Sequence, residues 1–192
     1  MDAIAVALRV ADTLESIGVE YLVGGSLASS LVGEPRSTLD VDLVVRLGAS
    51  HVRPLVERLG REFYADPESL ARTVRERSRA NLVHAPSGLK IDLFVLGAHP
   101  FEQGQMARRR RVRVASEPDR FLYTDAPEDI VLQKLRWFRL GNEVSDRQWR
   151  DVLAVLRLSG ADLDRDDLHA SARAFGVEDL LDRALVQAGE DP

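Results

Sequence analysis

The spacing of apolar residues changes several times along this chain. In "DAIAVALRVADTLESI", Ile4, Leu8, Ala11 and Leu14 recur at helical intervals, and Gly18 supplies a stop. "VEYLVGG" is a short apolar strand closed by two glycines. "SLASSLVG" begins on a Ser cap and ends on Gly, which predicts a short helix. The turn "EPRST" leads into "LDVDLVVRL", a strand with alternating character. "SHVRPLVERLG" reads as a helix behind a Ser cap, "REFYA" as a short strand, and "DPESLARTVRERS" as a helix with an Asp cap and Pro at its first position. "ANLVHAPSGLKIDLFVL" reads as two strands joined at Pro86, Ser87 and Gly88, and "RRRVRV" and "DRFLYT" as further strands.

From Ala126 the pattern turns helical. "APEDIVLQKLRWFRLG" and "SDRQWRDVLAVLRLSG" each carry start and stop signals, and "DRDDLHASARAFG" and "EDLLDRALVQAG" complete the tail. The predicted architecture is α/β in the α+β sense, a mixed sheet flanked by helices over residues 1–124, followed by a helical part over residues 125–192. The 192 residues suffice for one domain with a real core.

Composition narrows the classes. A formal net charge of −5 argues against a chain built throughout as a polycation for nucleic acid, although a local basic patch stays open. The absence of cysteine excludes disulfides and thiolate metal sites and fits a reducing cytoplasm. No basic leader and no apolar run of membrane-spanning length is present, so a cytoplasmic protein without a membrane partner is expected. His51, His84, His99 and His169 show no ligand spacing, and no zinc site is assigned.

The candidate chemistry lies in "YLVGGSLASSLVGEPRSTLDVDLVV". Residues two apart on a strand face the same way, about 6.5–7 Å apart. Asp40 and Asp42 therefore share a face and repel one another unless a cation intervenes. Such a pair suits Mg²⁺ or Mn²⁺, which accept phosphate oxygens as further ligands. Taken alone, the pair reads more readily as the solvated face of an edge strand, and it is the context that changes this. Upstream, Gly24 and Gly25 allow close backbone approach, and Ser26 opens a helix whose first N–H groups favour an anion. Asp92 is a lone acid in the apolar strand "LKIDLFVL", where Lys90, Asp92 and Phe94 share a face. It is a third metal ligand, or the base for an attacking hydroxyl, or simply an acid paired with Lys90 or an arginine.

Gly25-Ser26, then Asp40-Val41-Asp42, then Asp92 on a later strand resembles the nucleotidyltransferase superfamily, with its polymerase-beta-like fold. The spacer Leu27–Leu39 has the expected length, and Arg36 and Thr38 before the acids, with Lys90 in "KIDLFV", resemble the minimal bacterial members. Those include the abortive-infection toxins of toxin–antitoxin pairs. The resemblance implies a nucleoside triphosphate as substrate, its phosphates over Gly24, Gly25 and Ser26 with Arg36 and Thr38 beside them. It implies a divalent cation on Asp40, Asp42 and Asp92, and an acceptor hydroxyl on RNA such as tRNA, a protein or a small molecule. Lys134 in "IVLQKLRWF" and Arg150-Asp151 in "RQWRDVLAVL" match later motifs of the toxin-like group. By that similarity Lys134 touches the triphosphate, Asp151 supports Lys134 or the metal site, and an antitoxin is a partner. The pattern departs at Ala154, where those toxins commonly carry a second acid. From its own neighbours, Lys134 reads equally as a surface lysine lying along apolar residues.

Arg108–Arg111 and Arg113 make either an RNA contact or a charged edge strand. Arg72, Arg75 and Arg77 read as a charged helix face, with Arg79 turned toward the cleft. Trp137, Phe138 and Trp149 are expected in the core. Beside the transferase reading stands a non-catalytic nucleotide- or RNA-binding protein, or a partner-binding protein, on the same fold.

Overall fold

A computed structural model of the chain describes residues 2–189. In chain order the elements are α1 (Ala3–Ser16), β1 (Tyr21–Val23), α2 (Gly25–Val32), β2 (Asp40–Val45), α3 (Ala49–Leu59), β3 (Phe63–Tyr64), α4 (Pro67–Glu76), β4 (Arg79–His84), β5 (Lys90–Val95), α5 (Pro100–Arg108), β6 (Arg110–Ser116), β7 (Asp119–Thr124), α6 (Pro127–Leu140), α7 (Asp146–Ser159), α8 (Arg165–Ala174) and α9 (Glu178–Ala188). The chain forms two compact units. Met1–Leu27 and Ser37–Asp125 make the first, and Ala28–Arg36 with Ala126–Pro192 make the second. Most of α2 and the turn after it thus group with the C-terminal helices. No helix among the described residues is long and apolar enough to cross a membrane.

The first unit is built on one seven-stranded sheet of order β3-β4-β5-β2-β1-β7-β6. It is mixed, with β2–β5 and β1–β7 parallel and the remaining pairs antiparallel. This is the expected α+β class. One face of its centre is apolar and buried through Val41, Leu43, Val45, Leu82, Ile91 and Leu93. The opposite positions on β2, Asp40, Asp42 and Val44, are only half-buried. That alternation is the period-two pattern of a sheet with one covered face. At Val44 the second face closes locally, because Met106 of α5 packs there with Leu22 and Leu96.

Several local expectations need correction. The buried stripe of α1 is Ala3, Val6, Ala7, Val10, Ala11 and Leu14, while Ile4 and Leu8 are half-exposed. Small residues face the packed side, where close approach matters more than bulk. Ser50 does not cap α3. The helix starts one residue earlier, at Ala49, and the Gly48 N–H donates to His51 Nδ1 at 3.0 Å. Helix α2 begins at Gly25, so Ser26 lies inside its first turn. Helix α5 was not foreseen, because its sequence is weakly amphipathic; its start signal is His99, whose Nδ1 accepts the Phe101 N–H at 3.2 Å, followed by Pro100.

The second unit is helical. Its core includes Val131, Leu132, Leu135, Val152, Val155, Leu156, Leu168, Leu181 and Leu185. Phe138 is buried, but Trp137 is 62% exposed, against the expectation for a core tryptophan. The two are consecutive on α6 and so point about 100° apart, and only one can face α7. Trp149 is half-buried, stacks obliquely on Phe138 with centroids 5.1 Å apart, and donates from Nε1 to Gln187 at 2.7 Å.

Candidate active site

In the parallel β2–β5 pair, Asp40 lies opposite Lys90 and Asp42 opposite Asp92. Neighbouring strands are about 4.8 Å apart. The register therefore collects three carboxylates on one sheet face, the half-open one. Asp92 is buried, and its Oδ2 lies 2.9 Å from the Lys90 ammonium. Its Oδ1 is also buried and has no hydrogen-bond partner. A buried carboxylate oxygen without a donor is costly, so this atom is a ready acceptor for a proton or a cation. Thr38 Oγ1 donates to Asp40 Oδ1 at 2.9 Å and restricts that side chain.

The glycine turn is tied to the same acids. The Gly24 N–H donates to the Asp42 carbonyl at 3.0 Å. Gly25 has φ +59°, and a Cβ there would lie 2.8 Å from Asp42 Cγ. Glycine at 25 therefore makes room first for Asp42, before any ligand is considered. Asp125 was missed by sequence reasoning. It is fully buried at the end of β7, its N–H donates to the Val23 carbonyl at 3.2 Å, and its carboxylate accepts from Gln105 Nε2 at 3.4 Å. Its Oδ2 would sit 3.5 Å from a Cβ at Gly24. Its position just before Ala126-Pro127 reads as a boundary, and only the parallel pairing of β1 with β7 brings it to the turn. Arg79 is exposed at the start of β4, opposite Phe94, with its guanidinium 5.9 Å from that ring.

The remaining expected residues belong to the helical unit. Lys134 is 6% exposed rather than on the surface, and its Nζ lies 2.7 Å from Asp151 Oδ2. Arg36 reaches the same carboxylate in a fork, Nε to Oδ1 at 3.0 Å and Nη2 to Oδ2 at 2.9 Å. Burial pushes the Asp151 carboxyl up, but the hydrogen bonds from Arg36 and Lys134 outweigh it and hold the group below its ordinary value. Burial pushes Lys134 down, and the single anion it shares with Arg36 only partly restores it. Burial dominates for Lys134, whereas Asp151 has two cationic donors to offset it. Ala154 is buried, and a Cβ at Gly33 would lie 3.4 Å from its methyl group. A longer acid at 154 would meet that packing.

All the candidate donors in the sheet unit are carboxylate oxygens, the donor type of Mg²⁺ and Mn²⁺. Among the described residues no three such side chains stand ready-made as a metal cage. Asp40, Asp42 and Asp92 thus share a face without forming such a group.

No protein-family model matches the chain, and no curated protein sequence matches it. Solved structures do. ANT(2'')-Ia in complex with adenylyl-2''-tobramycin superposes with a TM-score of 0.57 at 13% identity, over 90% of this chain and 96% of that one. The solution structure of the same antibiotic-resistance factor gives 0.54 at 16%, over 92% and 93%. An antigenic nucleotidyltransferase-like protein from Paracoccidioides brasiliensis gives 0.52 at 16%, over 98% and 93%. The chain has the nucleotidyltransferase fold. At these identities the likeness defines architecture, and the chemistry is argued from this chain's own residues.

Proposed function

We propose that the chain is a nucleotidyltransferase, moving a nucleoside monophosphate from a nucleoside triphosphate to an acceptor hydroxyl. One observation carries the reading: the parallel register sets Asp92 opposite Asp42 on an open face, beside the Gly24-Gly25 turn. The first N–H groups of α2 and the turn backbone receive phosphate oxygens. Asp40 and Asp42 would hold Mg²⁺ or Mn²⁺, which when bound neutralises phosphate charge as the α-phosphorus is attacked. Asp92 Oδ1, without a donor of its own, takes the proton of the acceptor hydroxyl. The hydroxyl oxygen bonds to the α-phosphorus, the α–β bridging P–O bond breaks, and pyrophosphate leaves with the electron pair. Positioning and electrostatics supply most of the acceleration. Nucleotide-binding roles for Arg36, Thr38 and Lys134, and a toxin role with an antitoxin partner, rest on the sequence resemblance alone.

The test is pyrophosphate release on incubating the purified chain with each nucleoside triphosphate, Mg²⁺ and cell extract. Turnover that Asp42→Ala abolishes is expected. Absence of turnover with every triphosphate, in both the parent and the variant, would sink the reading. The Lys90–Asp92 ion pair favours a second reading, a non-catalytic nucleotide- or RNA-binding protein in which Asp92 is structurally neutralised. That protein would bind triphosphate without releasing pyrophosphate.

A further inference from the structure

The acid-bearing face continues outward across three strands. Cross-strand partners point to the same side of a sheet. The pairs Asp42–Asp92, Asp92–Asn81, Phe94–Arg79, Lys90–Val83 and Val83–Tyr64 therefore place Tyr64, Arg79, Asn81 and Phe94 on the carboxylate face. The reverse face of these strands carries the buried Phe63, Ala80, Leu82, His84, Ile91 and Leu93.

The outer half of the open face is not an ordinary solvated surface. Tyr64 is 72% exposed on a two-residue edge strand, and Phe94 is 36% exposed two residues beyond Asp92. Two rings on a face that water alone would cover with polar groups call for a stacking partner. Arg79 stands over Phe94, and Lys90 flanks Asp92. The charge pattern points the same way. Arg72, Arg75, Arg77 and Arg79, which run from α4 into β4, are all exposed. Among the described residues none of the four has a carboxylate partner within ion-pair distance. Of these four, Arg79 is set on the open face by its register opposite Phe94. Exposed rings next to unpaired guanidinium groups suit a single-stranded polyanion with planar bases.

We propose that Tyr64, Phe94 and Arg79 bind a single-stranded polynucleotide and present its 3′-hydroxyl to the carboxylates. The inference rests on the nucleotidyl-transfer reading for its chemistry. The terminal 3′-oxygen bonds to the α-phosphorus of the triphosphate, pyrophosphate departs with the electrons of the broken P–O bond, and the hydroxyl proton passes to Asp92. About 6.5–7 Å along β5 separates Asp92 from Phe94, and about 10 Å across two strands separates β5 from β3. These are reaches that the last few nucleotides of a strand can span.

Anisotropy of end-labelled oligonucleotides of about 12 residues, as single-stranded RNA, single-stranded DNA and blunt duplex, tests it on the full chain between about 50 and about 200 mM salt. Single strands should bind over duplex. Tyr64→Ala and Phe94→Ala should each weaken binding about 5- to 100-fold. Arg79→Glu, at an exposed position, should weaken binding and lower the salt slope by about one. The RNA and DNA arms decide which sugar is accepted. Asp42→Ala should abolish label transfer from triphosphate without weakening oligonucleotide binding. Loss of all oligonucleotide binding overturns the proposal, as does binding indifferent to the three substitutions, or label delivered to protein while oligonucleotides are ignored. Binding through these residues with no transfer from any triphosphate upholds the surface and overturns the catalytic reading.

Discussion

The two units treat buried charge in opposite ways. In the helical unit, Asp151 has both oxygens matched, by the fork of Arg36 and the ammonium of Lys134. In the sheet unit, three carboxylates share one face, Thr38 donates to Asp40, Lys90 lies beside Asp92, and among the described residues the buried Asp92 Oδ1 has no hydrogen-bond donor. A neutralised cluster holds a fold together, and removing one member leaves a charge stranded. An under-neutralised cluster is poorly satisfied by the protein alone and gains from a bound cation. The contrast separates a clamp from a site using only partners and distances.

The comparison can be broken at either end. The largest effect should come from Asp42→Ala, with transfer falling about 10³-fold, close to 4 kcal/mol of activation free energy. Thermal stability of the same variant separates a loss of chemistry from a loss of fold. A melting curve beside a pyrophosphate assay reads both, and a clear drop in melting temperature would mean Asp42 serves the fold. Next is Asp151→Ala, which strands Lys134 and Arg36 and should cost about 3 kcal/mol of stability by denaturant unfolding. A loss under about 1 kcal/mol would show the cluster to be no clamp.

Gly25→Ala should follow. It places a side chain at positive φ, costing about 1–2 kcal/mol, and drives it into the Asp42 carboxylate. Stability and turnover should fall together, and full turnover in the variant would refute the proposed contact. The smallest effect is on acid stability. Because the Asp151 carboxyl is held below its ordinary 3.8, its contribution is complete above that pH and is lost as pH falls through the lower folded value. Unfolding measured between pH 5 and pH 2 should show a shallower acid limb in Asp151→Asn than in the parent chain. Superimposable limbs would contradict the ion-pair assignment.

Much of this was readable in advance because the signals are local. The Asp66 cap with Pro67, the Pro86-Ser87-Gly88 turn and the period-two runs around Asp42 and Asp92 each depend on neighbours a few residues away. The misreadings share the opposite property. Ile4 and Leu8 carry the larger apolar side chains of α1, yet the sheet selects the small-residue face. Trp137 has the composition of a core residue, and packing chose Phe138 beside it. Asp125 shows nothing unusual until β7 pairs with β1.

The sequence by itself determined most of the elements, the alternation that puts Asp40 and Asp42 on one side of a strand, and the glycines that a crowded turn requires. These follow from backbone geometry and steric exclusion, which act within a few residues. Only the tertiary structure decided that Asp92 stands opposite Asp42, that Arg36 and Lys134 share Asp151, and that Tyr64, Arg79 and Phe94 line one open face. Register and burial are set by how strands and helices far apart in the chain fit together, and no local pattern carries that information.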